Sequence, residues 1–185
     1  MKRLVILAMF AIMIVAKAWA QKPLEFSTVI KQDSLDANAL YEATRSWFVE
    51  SFKDSKAVIK DDNPGKQITG KGTIPFTANM MYSSINGYIE FLIDVQFRDG
   101  RLKLTMRNFD HKAERPAMFD NDMGILVDEL PSDLGEIGIK GANRKSAYKY
   151  YHKNAKPECE GTFKKVVDSL TEFVVNKKMQ EEEEW

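Results

Sequence analysis

Residues 88 to 109 restrict the possible folds most tightly. Ile89, Phe91, Ile93, Val95 and Phe97 alternate with Glu90, Leu92, Asp94 and Gln96. After Asp99-Gly100, Leu102, Leu104 and Met106 alternate with Lys103, Thr105 and Arg107. A period of two sends successive side chains to opposite faces of a strand. Asp-Gly is a favoured two-residue hairpin turn of type I′. Pairing through it sets Phe97 opposite Leu102, Val95 opposite Leu104 and Ile93 opposite Met106. The two apolar faces therefore coincide without a register adjustment. The chain must build an antiparallel sheet with one face buried. The other face carries Glu90, Leu92, Asp94, Gln96, Lys103, Thr105 and Arg107.

The flanking segments read as the rest of one domain. Residues 25–31, with Phe26, Val29 and Ile30, form a first strand. Asp33, Ser34 and Asp36 offer N-cap oxygens for a helix running to about Phe52. Leu40, Ala43, Trp47, Phe48 and Ser51 make its inward stripe. Residues 57–61 and 67–76 are strands joined by the turn Asn63-Pro64-Gly65-Lys66. The second places Ile68, Gly70, Gly72, Ile74 and Phe76 on one face, and its two glycines let a helix lie close to the sheet. From His111 to Pro157 the pattern weakens. Residues 124–130 suit a short strand and residues 145–152 a short helix. After Pro157, about residues 159–178 form a separate helix, with Phe163, Val166, Val167, Leu170, Phe173 and Val174 inward. Glu181 to Trp185 form an acidic tail that opposes the helix dipole and should fray. The order β-α-β-β-β-β-α predicts a two-layer α+β domain over residues 21–180, with helices covering the face of Phe91, Ile93, Val95, Leu104 and Met106.

The N-terminus predicts a compartment. Lys2 and Arg3 precede an uncharged apolar run from Leu4 to Ala16, and Ala18-Trp19-Ala20 ends it. That is the three-part pattern of a cleavable export signal, residues 1–20, leaving Gln21 first in the mature chain. The apolar run spans about 20 Å as a helix, short of a hydrocarbon core of about 30 Å. The expected location is periplasmic or extracellular, with no transmembrane segment after signal removal. The whole chain balances 27 basic residues against 27 acidic. Loss of Lys2, Arg3 and Lys17 leaves the mature chain near −3, which argues against nucleic acid as a partner. The single cysteine, Cys159, excludes an internal disulfide.

The stretches SLDANALYEATRSWFVESFKDSKAVIKDDNPGKQITGKGTIPF and GYIEFLIDVQFRDGRLKLTMRNFDH resemble a family of exported Bacteroidetes-type domains of unknown function. That family has a TATA-binding-protein-like (TBP-like) fold. The matching features are Tyr41 and Trp47, the Gly70-x-Gly72 strand and the hairpin turning at Asp99-Gly100. The resemblance covers about residues 25–112. It implies fold and compartment, and it transfers no catalytic residue. Fold does not fix function, and the exposed strand face lacks the intercalating aromatics and basic rim of minor-groove binders.

No catalytic, cofactor or metal motif stands out. Two histidines, His111 and His152, cannot make a His-rich metal site. Asp120-x-Asp122-x-Gly124 begins like a calcium loop, but Pro131 stands where the closing Glu belongs, so an ordinary Asp/Asn turn is the better reading. Cys159 falls near the expected start of the last helix, where the dipole lowers a thiol pKa, but Glu158 and Glu160 oppose that. Ser83-Ser84 and Asp61-Asp62 match no triad or dyad. Gly70-x-Gly72 lacks the further glycine and following helix of a phosphate loop. The expectation is a non-enzymatic binding or accessory domain of the cell envelope, without cofactor, whose partner is a protein or glycan. Two alternatives remain: an envelope hydrolase with a carboxylate site hidden from sequence, and an assembly protein acting by sheet-edge pairing. The mixed-charge face of the hairpin is the candidate partner surface, weighed against an ordinary solvated sheet face. The leader predicts that intact-mass measurement of the protein from an envelope fraction gives a chain beginning at Gln21. Recovery of the full-length chain from the cytoplasm would refute it.

Overall fold

The computed structural model describes residues 21–52, 59–114 and 121–183, with side chains through residue 177. The expected leader, Asp120 and Trp185 lie outside the described residues. In chain order the elements are β1 (Phe26–Lys31), α1 (Ala37–Ser51), β2 (Ile59–Asn63), β3 (Gln67–Phe76), a 3-10 turn (Met80–Ile85), β4 (Gly87–Arg98), β5 (Arg101–Ala113), β6 (Gly124–Ile125), a second 3-10 turn (Leu134–Ile137) and α2 (Ala142–Glu183). The sheet is antiparallel throughout, in the order β1-β5-β4-β3-β2, with β6 also pairing β5. It is the α+β architecture that the strand and helix pattern predicts.

The hairpin has the expected register: Phe97 opposite Leu102, Val95 opposite Leu104 and Ile93 opposite Met106. Its turn differs from the expectation. Asn108 is the only non-glycine with positive φ among the described residues, so Asp99 keeps a negative φ and the turn is not type I′. Gly100 alone is left-handed, at φ 74°. Tertiary bonds hold this backbone in place. Asp99 Oδ1 accepts the Ala37 N–H at 3.0 Å, capping α1 beside its own N-cap Asp36. Gly100 N–H donates to Leu35, and Gly100 C=O accepts from Gln32, both at 2.8 Å.

A second difference lies farther along. Glu90 pairs Asp110 and Leu92 pairs Arg107, so Phe91 faces two residues of β5, Asn108 and Phe109. Asn108, at φ 58°, is the extra residue of this β-bulge. Strict alternation from Met106 would send Asn108 and Asp110 into the core. The bulge shifts the parity, so Phe109 and His111 point inward and are fully buried. Phe109 then stacks on Phe91, with centroids 5.7 Å apart.

Both helices pack on this inner face. Leu40, Ala43, Trp47 and Phe48 of α1 are buried as expected, joined by Tyr41 and Thr44, whereas Ser51 is exposed. Gly70 performs its expected role, since a Cβ there would overlap the Phe48 ring. Gly72 instead leaves room for the ring of Phe91, its direct partner on β4. Trp47 Nε1 donates to Ser169 Oγ at 3.0 Å, joining α1 to α2.

The segment after His111 corrects the sequence reading most. Residues 142–183 form one helix of 42 residues, not a short helix and a separate one after Pro157. A proline inside a helix removes one backbone bond and costs about 3 kcal/mol. Here Pro157 and Lys153, whose carbonyl loses its partner, are both exposed, so water can satisfy that carbonyl. The buried stripe passes behind them through Tyr148, Tyr151, Ala155 and Cys159, and later Leu170 and Val174. Tyr148, His152 and Lys156, one turn apart, donate to the carbonyls of Ile125, Val127 and Asp128. This ladder fastens the helix to the β6 segment. The helix also takes in the acidic run through Glu183.

The bulge is directly testable. Asn108→Val places a β-branched residue in a left-handed conformation and should lower stability by about 1–2 kcal/mol, whereas Asn108→Gly should be tolerated or stabilising. Denaturant unfolding of the two variants beside wild type reads the difference.

Candidate functional site

The sheet face opposite the helices is the candidate surface. Its composition follows from the strand periods. β4 contributes Glu90, Leu92, Asp94, Gln96 and Arg98, and β5 contributes Arg101, Lys103, Thr105 and Arg107. β1 adds Ser27, Val29 and Lys31, and β3 adds Gln67, Thr69, Lys71 and Thr73. The seven residues expected from the hairpin therefore do share one face. No described helix packs on it.

Two regions of this face differ in charge organisation. In the centre, every acid has a cation. Arg107 pairs with Asp94, whose other oxygen accepts the Thr69 hydroxyl at 2.7 Å. Gln67 donates to Thr69 at 3.1 Å. Lys71 meets Glu90 at 2.7 Å, and the Ser27 and Thr105 hydroxyls lie 3.1 Å apart. Asp94 is buried, so this ion pair is part of the sheet and not a loose surface pair. Leu92 lies half-buried between these groups.

At the turn end the acids stop. Val29, Gln96, Arg98, Arg101, Leu102 and Lys103 line a groove of about 380 Å³. No ion pair joins Arg98, Arg101 or Lys103 to a carboxylate among the described residues. The mixed-charge face expected from sequence ends one same-face residue short of the turn on each strand. Continuing the same alternation would have included Arg98 and Arg101. Val29 and Lys31 required the β1–β5 pairing, which adjacent sequence does not specify.

The other sequence candidates have structural roles. Asp122 Oδ1 accepts the Ala113 N–H at 2.7 Å, and Asp122 C=O accepts Arg144 at 2.6 Å. Asp110 and Asp122 both approach Lys112, at 2.9 and 3.6 Å, beside a groove of about 630 Å³ that also includes Arg144 and Tyr148. The hydrogen bond to Asp110 chiefly raises the Lys112 pKa, so its ammonium stays charged beside the two acids. No group of three or more His, Cys, Asp or Glu suited to a metal occurs among the described residues. Cys159 is in mid-helix rather than at a helix start, so the dipole argument does not apply. It is fully buried, and burial, then Glu158, pushes its thiol up to about 12. Asp62 binds the Tyr41 hydroxyl at 2.8 Å and Arg45 at 3.3 Å. Met80 and Met81, on the first 3-10 turn, are highly exposed.

His111 is a structural histidine. Met123 N–H, which can only donate, meets Nδ1 at 3.1 Å, so the ring proton sits on Nε2 and is donated to Ile85 C=O at 2.9 Å. Phe76 and Tyr151 pack against the ring. Burial holds its pKa below the ordinary 6.5. The unfolded chain therefore binds this proton at a pH where the folded one does not. The contribution is complete above about pH 6.5 and is lost as pH falls through the folded pKa. The urea midpoint should drop between about pH 7.5 and about pH 5. His152, also depressed by burial, acts in the same direction, so His111→Gln should shrink that drop without abolishing it.

Comparison with known proteins agrees with this architecture. Residues 26–112 match the family model described as "Domain of unknown function (DUF4468) with TBP-like fold". No curated protein matches the chain. A DUF4468 family protein from Bacteroides ovatus superposes with a TM-score of 0.52 at 13% identity, covering 80% of this chain and 86% of that one. A TBP-like protein from Parabacteroides distasonis gives the same score and identity, covering 80% of this chain and 92% of that one. At such identity the likeness concerns the fold alone. Through residues 26–112, which hold β1 to β5 and α1, this chain is similar to the DUF4468 family of domains of unknown function with a TBP-like fold.

Proposed function

We propose that this protein is an exported, non-enzymatic binding or accessory domain of the cell envelope, and that it engages a protein or glycan through the open sheet face. One observation carries the reading: a broad strand surface is left without a described helix, while its central polar groups are already paired with one another. Groups held by their own network keep their geometry before a partner arrives, which lowers the ordering cost of association. The leader pattern at residues 1–20 supports export. No helix among the described residues is long and apolar enough to cross a membrane. The carboxylate-site hydrolase would need two convergent acids free to exchange protons, and Asp110 and Asp122 are instead bridged by Lys112. For sheet-edge pairing, β2 is a poor template, since Lys60, Asp61 and Asp62 are exposed and its register shifts between Ile59 and Asp61.

The test is capture from envelope extract by the wild-type protein and by a Glu90→Lys, Leu92→Lys variant. Arg107 is left intact because its removal would strand the buried Asp94. The variant, shown to be folded by its unfolding curve, should lose the partners that wild type retains. Equal capture by both proteins excludes the centre of this face.

A further inference from the structure

The turn end of the open face contains an arrangement that folding alone does not favour. Arg98 pairs directly with Arg101 across the hairpin, and Arg101 pairs directly with Lys31 of β1. Three like charges thus stand in one row across three neighbouring strands. Lys103 follows on the same face of β5, opposite Gln96 and Val29. Like charges directly opposite in a sheet are destabilising. Elsewhere on this face each acid is paired: Asp94 with Arg107 and Glu90 with Lys71. The carboxylate nearest in sequence, Asp99, is turned toward α1 and accepts the Ala37 N–H. Asp33 lies against Gly100, yet no ion pair joins a carboxylate to the row among the described residues. The row also borders a concave feature, the groove of about 380 Å³ lined by Arg98, Arg101, Lys103, Gln96 and Val29.

We infer that this groove is an anion site for a phosphomonoester. The inference deepens the binding reading above and rests on it. A single carboxylate would leave most of the positive charge uncompensated, whereas a phosphomonoester is close to dianionic at neutral pH. Two arginine forks on adjacent strands can each present paired N–H donors to phosphate oxygens, a match that arginine makes better than lysine. Gln96 supplies a neutral amide beside them. Val29, 51% exposed at the groove wall, offers an apolar contact to the organic part of the ester. The groove is open along the sheet, so the phosphate can belong to a soluble ester or to a lipid headgroup.

The experiment is calorimetric titration of the purified protein with glycerol 1-phosphate, and flotation with vesicles of phosphatidylcholine with and without phosphatidic acid. Binding in either arm supports the site, and the arm that responds identifies the source. Arg98→Gln with Arg101→Gln should weaken binding at least about tenfold, as expected for losing charge-assisted bonds. Without ligand, the same variant should unfold at higher denaturant than wild type, because the like-charge row is gone. Binding unaffected by the variant, or no binding in either arm, overturns the proposal. So does stronger binding of polyglutamate or an oligonucleotide than of the phosphomonoester. The Glu90→Lys, Leu92→Lys variant keeps the arginine row. Loss of its captured partners with phosphate binding intact, or the reverse, separates failure of one reading from failure of the other.

Discussion

The parity of strand β5 governs how this domain closes. From Leu102 to Met106 it sends even-numbered residues inward, and from Phe109 to His111 odd-numbered ones. The change takes place at Asn108, the left-handed residue of the bulge. Because of it, Phe109 meets Phe91 and Phe26, and His111 reaches Ile85 and Met123. Both ring nitrogens of His111 then tie the β6 segment and the first 3-10 turn to the sheet. The same strand carries β1 along its turn half and β6 along its far half. One unpaired residue thus lets a single strand serve a hydrophobic core at one end and a polar junction at the other.

The long helix solves a different problem. The β6 segment contributes little sheet of its own, and its carbonyls need donors. Tyr148, His152 and Lys156 supply them from consecutive turns, while Tyr151, Ala155 and Cys159 pack inward from the adjoining stripe. That combined polar and apolar attachment outweighs the cost of Pro157, which faces water. At its far end α2 reaches α1 through Ser169 and Lys177, which bond Trp47 and Ser46. The helix therefore spans from the polar junction to the first helix.

With both helices on one side, the other side of the sheet holds the functional interest. Its middle is neutralised internally, whereas no ion pair among the described residues reaches the cations of its turn end. The difference arises from register: Asp94 falls beside Arg107 and Thr69, whereas Arg98 falls beside Arg101 and then Lys31. Net charge over the chain does not reveal this, since an overall balance permits strong local segregation.

Much of the sheet was legible in the chain itself, because strand period and turn chemistry are local and act over a few residues. The pairing from Phe97–Leu102 to Ile93–Met106, the inward Trp47 and Phe48, and the shared outer face of the hairpin all follow from it. So does the family resemblance over the first half. The bulge at Asn108 was not legible, since it depends on what Phe109 and His111 bury against. The unbroken helix through Pro157 was not legible either, because local propensity argues for a stop and only the contacts on both sides of the proline outweigh it. The Asp99 turn conformation is set by the Ala37 N–H, sixty-two residues away in the chain. The cation row needed β1 beside β5. Local sequence determines what each segment prefers, and the tertiary structure decides which preferences give way, because long-range contacts settle which backbone and charged groups find partners.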